Sequence, residues 1–223
     1  DIVDVGGEST KPPSVYTGAV PTSLQEELDR VIPTVKALSA VLEIPISVDT
    51  YKAEVARKAI KAGAAMINDV RAFEGDPEMA HVVSEADVPV VLMHNQEGND
   101  YDDLVPGVIK ALERSIEKAL KAGVDGKKII VDPGIGFGKN VRQNLEILRR
   151  LNEFTVLRKP LLLGTSRKST IGYVLNLEID QRVEGTAATV ALSIAGGADI
   201  VRVHDVKEMV RVAKMSDAIV RGV

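Results

Sequence analysis

Seven times along its 223 residues this chain repeats one pattern: a short apolar run rich in β-branched residues, a polar residue where the run stops, and a stretch with helical spacing. The runs fall at residues 1–5, 44–48, 65–67, 88–93, 129–131, 161–163 and 200–201. Helical spacing follows at 22–38, after Asp49 as far as Gly63, and at 79–86, 104–122, 145–151, 185–195 and 206–220. Regular alternation of strand and helix dictates parallel strands with right-handed crossovers, either in an open doubly wound sheet or in a closed barrel. An open sheet concentrates its chemistry at one switch point, whereas a barrel draws it from the C-terminal ends of many strands. Here each strand ends in a candidate polar group, which favours the barrel. Eight units need about 250 residues, so the expectation is one α/β domain over residues 1–223, a TIM-type (β/α)8 barrel with seven units present and the first strand and loop missing. An open or atypical sheet is the competing topology.

The segment Asp132-Pro133-Gly134-Ile135-Gly136-Phe137-Gly138-Lys139 is the most specific of these strand ends. A buried strand stops on a carboxylate, Pro133 ends the ladder, and three alternate glycines let the backbone approach a flat ligand closely. Asn140 then reads as the N-cap of an amphipathic helix.

Closure of the strands would gather Asp4, Asp49, Asn68, His94, Asp132, Lys168, Arg202 and His204 at one rim. Asp49, Asn68 and Asp132 suit a heterocycle rich in N–H donors, because a carboxylate accepts two parallel N–H bonds from an amino-imino edge. Lys168, Arg202 and His204, with Arg167 nearby, suit phosphate oxygens. A helix N-cap is an equal alternative for Asp49. A buried, unanswered cation is costly, so Arg202 at a strand end calls for an anion.

Composition narrows the partners. A net charge of -4 and 3% aromatic residues give no basis for nucleic acid, and no apolar run is long enough to span a bilayer. With no cysteine there is no disulfide framework, thiolate metal site or thiol nucleophile, and a cytoplasmic location is the default.

Residues 1–10, Ser47 to Lys52, Ile67-Asn68-Asp69, Met93-His94, Asp132 to Lys139, Gly164 to Ser169, Gly185-Thr186 and Val201 to Asp205 together resemble, in order, the dihydropteroate synthase family of pterin-binding barrels. The resemblance implies condensation of 7,8-dihydropterin-6-ylmethyl diphosphate with 4-aminobenzoate to 7,8-dihydropteroate and diphosphate, in folate biosynthesis. It implies that Asp132 pairs with the pterin 2-amino and N3 groups and that Asp49 and Asn68 meet its other edge. By the same resemblance Met93 would pack below the ring, Gly164 and Phe137 would join the pterin site, Lys168 would reach the O4/N5 side and Arg202 would lie against the ring. Arg202 and His204 hold the diphosphate. Thr10, Lys11, Pro12, Phe137 and Ser169 surround the aminobenzoate. The resemblance implies that Asp49, Lys168, Arg202 and His204 carry the catalytic load in a dissociative reaction. The resemblance further implies Mg2+, with its protein ligand in the missing first strand, a homodimer, and a sulfonamide target. Lys11-Pro12-Pro13 departs from the more usual Arg-Pro-Gly, which exchanges a guanidinium fork for a point charge. A corrinoid methyltransferase type of pterin barrel and a truncated, non-catalytic pterin binder are the rival readings.

Overall fold

The computed structural model describes residues 1–9 and 21–222. They form two compact units, residues 1–95 with 112–130, and residues 96–111 with those from Val131 onward.

In the first unit, β1 (Val3–Gly6), β2 (Ile46–Asp49), β3 (Met66–Asp69) and β4 (Val90–Met93) alternate with α1 (Leu24–Ser39), α2 (Ala53–Lys61) and α3 (Met79–Ala86). The strands pair parallel in sequence order, with Gly6 opposite Asp49, Asp49 opposite Asn68 and Asp69 opposite Leu92. This register aligns the polar strand ends. Val48, Ile67 and the Val90-Val91-Leu92 run are sealed from solvent, as strands covered on both faces require. β1 alternates instead between half-buried and exposed positions. Asp4 therefore sits in mid-strand opposite Ser47, exposed, and not at the end where the sequence suggested it.

α1 starts through a capping box: Ser23 Oγ accepts from the Glu26 backbone N–H, and the Glu26 carboxylate accepts from that of Ser23. α2 borrows its cap, the Ala53 N–H donating to Asp76 Oδ2 at 2.9 Å. Asp49 is thus not a helix cap.

α4 (Leu104–Lys121) and β5 (Ile129–Asp132) each begin in one unit and end in the other, and β5 is the fifth strand of the sheet. In the second unit Val131 bridges in parallel to Leu161, and β6 (Leu162–Leu163) pairs in parallel with β7 (Ile200–Val201). α5 (Val141–Arg149), α6 (Ser169–Leu175), α7 (Val183–Ala195) and α8 (Val206–Val220) complete it. Val190 and Ile194 of α7 pack on Met209 of α8, with Val201, Val203 and Ala213 against them. Val206 and Val210 share helical spacing with Met209 and read as core in the sequence. They are exposed, because α8 buries only the narrow stripe that meets α7.

Candidate active site

In the first unit the strand ends assemble a polar edge. Asn68, buried at the end of β3, donates from Nδ2 to Asp49 Oδ2 at 3.2 Å. A carboxylate and an amide held side by side offer alternating acceptors and donors, which is what the edge of a fused nitrogen heterocycle requires. Met93 and His94 are buried at the end of β4. Asp69 serves the backbone: its two oxygens accept from the N–H groups of Arg71 and Phe73, both at 2.8 Å, and hold a turn in which Ala72 and Phe73 take left-handed conformations. Burial pushes the Asp69 carboxyl up to about 6.

A second cluster in this unit escaped the sequence reading. Lys52 follows β2, and its ammonium donates to Glu8 at 2.5 Å, to Glu27 of α1, and to the Thr22 carbonyl at 3.0 Å. Glu27 has 1% of its side chain exposed and also accepts from Thr50 Oγ1 at 2.6 Å. Tyr51 OH reaches Glu8 at 3.2 Å, while the Arg30 guanidinium donates to the Gly7 carbonyl at 2.9 Å. Glu8 and Thr22 are thereby joined through one cation. Thr10, Lys11 and Pro12, assigned to aminobenzoate in the sequence, lie outside the described residues.

The second unit holds the larger concentration of charge. Asp132 ends β5 with 4% exposure, and its Oδ1 accepts from the Gly134 N–H at 2.7 Å. Burial pushes its carboxyl up, against the pull of Lys168, of that N–H, of Arg202 and of Lys139. One carboxylate therefore stands among three cations. The loop after it is built around left-handed glycines at 134, 136 and 138. A Cβ on Gly136 would come within 3.1 Å of Lys168 Cδ, so glycine lets the lysine lie along the loop, where its ammonium donates to the Ile135 carbonyl and sits 4.8 Å from the Phe137 ring centre. Asn144 of α5 accepts from the Gly136 N–H at 2.8 Å, and Tyr101 donates to the Gly138 carbonyl at 2.7 Å. Asn140 caps α5 as its sequence position suggested. Lys139, to which the sequence assigns no role, turns inward and donates to the Gly134 and Phe137 carbonyls at 3.1 and 2.8 Å. Burial brings its ammonium down to about 7.

Arg202 follows β7, and its guanidinium lies over Gly164, where a Cβ would meet Nε at 3.6 Å. Asp132, Phe137, Gly164, Lys168 and Arg202 are thus brought together. His204 is exposed beyond Arg202, and Ser169 is exposed at the first position of α6. Two ties join the loops after β6 and β7: Arg167 grips Asp205 with bonds of 3.0 and 2.5 Å, and Ser166 Oγ lies 2.9 Å from His204 Nδ1. Ser166 and Asp205 were not singled out in the sequence, where a serine in a polar loop carries no signal of its own.

For Mg2+, no group of three or more His, Asp or Glu side chains suited to a cation occurs among the described residues. They do not by themselves supply a site that fits the ion. No described helix is long and apolar enough to cross a membrane.

The family model described as pterin binding enzyme matches residues 1–204. The dihydropteroate synthase of Bacillus subtilis is 52% identical over 217 residues, covering 97% of this chain and 74% of the relative. A dihydropteroate synthase from Clostridium difficile, crystallised in the presence of pteroic acid, superposes with a TM-score of 0.95 at 52% identity, over 99% of this chain and 82% of that one. The Xanthomonas albilineans dihydropteroate synthase with 4-aminobenzoic acid gives 0.93 at 42% identity, over 98% and 79%. The α/β barrel class expected from the strand pattern is the class of these neighbours.

Proposed function

The chain belongs to the pterin-binding enzyme family, and from that membership we infer that it joins a dihydropterin-6-ylmethyl diphosphate to 4-aminobenzoate, making 7,8-dihydropteroate for folate synthesis. The observation that carries the assignment of roles is Asp132, a nearly sealed carboxylate ringed by Lys168, Arg202 and Lys139.

In the proposed scheme Asp132, ionised, accepts two N–H bonds from the 2-amino and N3 groups of the pterin. Lys168 donates toward O4/N5, Arg202 stacks on the ring, and Gly164 leaves the space for that guanidinium. In the first unit Asp49, Asn68 and Met93 are further pterin contacts. The C–O bond to diphosphate breaks first, and the oxygen leaves with the electron pair. Arg202 and His204 offset that developing negative charge, while Asp132 and Asp49 stabilise the cation left on the electron-rich pterin. The aniline nitrogen then attacks the methylene with its lone pair and gives up its proton to solvent water, so holding the amine in line is the remaining requirement. Phe137, Ser169, Thr10, Lys11 and Pro12 are the proposed aminobenzoate contacts. No covalent nucleophile is needed.

The reading extends to Mg2+ accompanying the diphosphate, to a cytoplasmic location in keeping with the absence of cysteine, and to sulfonamides as inhibitors. It extends to a homodimer, supported by exposed Leu192, Met215 and Ile219 on α7 and α8. Incubating the protein with both substrates and Mg2+ and following dihydropteroate by chromatography tests the activity. Absence of product, with pterin still bound, would favour a non-catalytic pterin binder.

A further inference from the structure

Ser166 meets His204 twice. The backbone N–H of His204 donates to Ser166 Oγ at 3.1 Å, and the same oxygen lies 2.9 Å from His204 Nδ1. A serine hydroxyl has one proton to give and two lone pairs to receive. The backbone N–H occupies one lone pair. Were Nδ1 also protonated it would occupy the other, and the hydroxyl proton, on a residue 5% exposed, would have no acceptor. The two contacts of that oxygen among the described residues are both with His204, and of the two only Nδ1 can accept the proton. Buried donors without partners are strongly disfavoured, so the consistent arrangement has Ser166 donating to a bare Nδ1.

The consequence appears on the other side of the ring. In a neutral imidazole with Nδ1 bare, the proton sits on Nε2, and the hydrogen bond made by one nitrogen decides what the other presents. Nε2–H offers an oxyanion a donor, whereas the opposite tautomer would turn a lone pair toward it. We propose that Ser166 is a positioning residue that holds His204 as the Nε2–H tautomer, with its ring fixed, so that the imidazole donates to the leaving diphosphate. The assignment rests on the role of His204 as a diphosphate contact. The serine is itself held by its neighbours: the Arg167 N–H donates to Thr186 Oγ1 at 3.1 Å, and the Arg167 side chain grips Asp205, the residue after His204.

The test uses 15N-histidine-labelled protein at a pH where the ring is neutral. The chain has only His81, His94 and His204, so His204→Ala assigns the signal. Long-range proton–nitrogen spectra should show an unprotonated Nδ1 and a protonated Nε2 in the wild type. Ser166→Ala should mix the two tautomers and weaken diphosphate binding about tenfold, the order of one hydrogen bond to a charged group. Ser166→Thr, which keeps the hydroxyl, should restore both. A wild-type Nδ1 that carries the proton overturns the proposal, whether or not any variant folds. So does a Ser166→Ala protein whose tautomer or diphosphate affinity is unchanged. If His204→Ala binds diphosphate as tightly as the wild type, the anion role of His204 fails, and the spectrum separately decides the serine–histidine bond.

Discussion

Replacing Lys52 with methionine keeps most of the aliphatic stem and removes the charge that answers Glu8 and Glu27. An ammonium has three protons, and here all three are used, on Glu8, Glu27 and the Thr22 carbonyl. Glu27 keeps only 1% exposure, so in Lys52→Met its carboxylate would be left with the Thr50 hydroxyl as its side-chain donor. Breaking a fully buried pair by removing one partner costs about 3–5 kcal/mol. Lys52 retains 17% exposure, and water reaching the site screens part of the loss, which lowers the expectation to roughly 2–3 kcal/mol. Urea unfolding at pH 7 would measure it as a fall in midpoint at constant slope. Adding Glu27→Gln, which removes the orphaned charge and can still accept from Thr50, should recover more than half. The pH dependence has a definite sign. Burial opposes the Lys52 charge, but the hydrogen bonds and charges of Glu27 and Glu8 outweigh it and raise the ammonium above 10.5. The folded state therefore holds this proton more tightly than the unfolded chain does. The stabilisation is complete below pH 10.5 and is lost as pH rises through the folded value. A loss under about 1 kcal/mol in Lys52→Met, or no recovery in the double variant, would refute the reasoning.

Three further outcomes follow from the second unit. Asp132→Asn should abolish pterin binding in calorimetry, since an amide cannot accept two parallel N–H bonds; in the wild type, affinity should fall on acidification above the ordinary carboxylate range, because burial raises the Asp132 carboxyl. Lys139 is held down to about 7, so between pH 7 and its unfolded value near 10.5 the unfolded chain binds more protons, and wild-type stability relative to Lys139→Met should rise with pH across that window. A flat difference would remove the buried cation from the account. Gly138→Ala puts a Cβ 2.5 Å from the Gln96 carbonyl at a left-handed position, and thermal unfolding should register a loss of about 1–3 kcal/mol together with weakened pterin binding.

What could be seen in the sequence divides according to how far apart the interacting residues lie. The Asn140–Gln143 capping box spans three positions, and a local motif of that kind betrays itself by spacing alone. Asp132 was legible because a carboxylate, a proline and alternate glycines at a strand end make no sense in a packed core. Periodicity was a weaker guide on α8: it placed Val206 and Val210 with Met209, but how wide a stripe a helix buries is set by its neighbour, here α7. The charged positions were the hardest. Lys52 meets Glu27 and Glu8 across 25 and 44 residues, and Ser166 meets His204 across 38, with nothing in the intervening chain to announce either pair. Lys139 was likewise silent in the sequence. A lysine beside a glycine loop gives no sign of burial, yet the left-handed glycines that shape the loop also turn its carbonyls inward, and those carbonyls need a donor. The glycines that mark the loop after β5 in the sequence therefore also create the demand that Lys139 meets. A neutral side chain there would leave the Gly134 and Phe137 carbonyls without that donor and Asp132 with one cation fewer, so the fold of the loop and the charge of the site depend on the same residue.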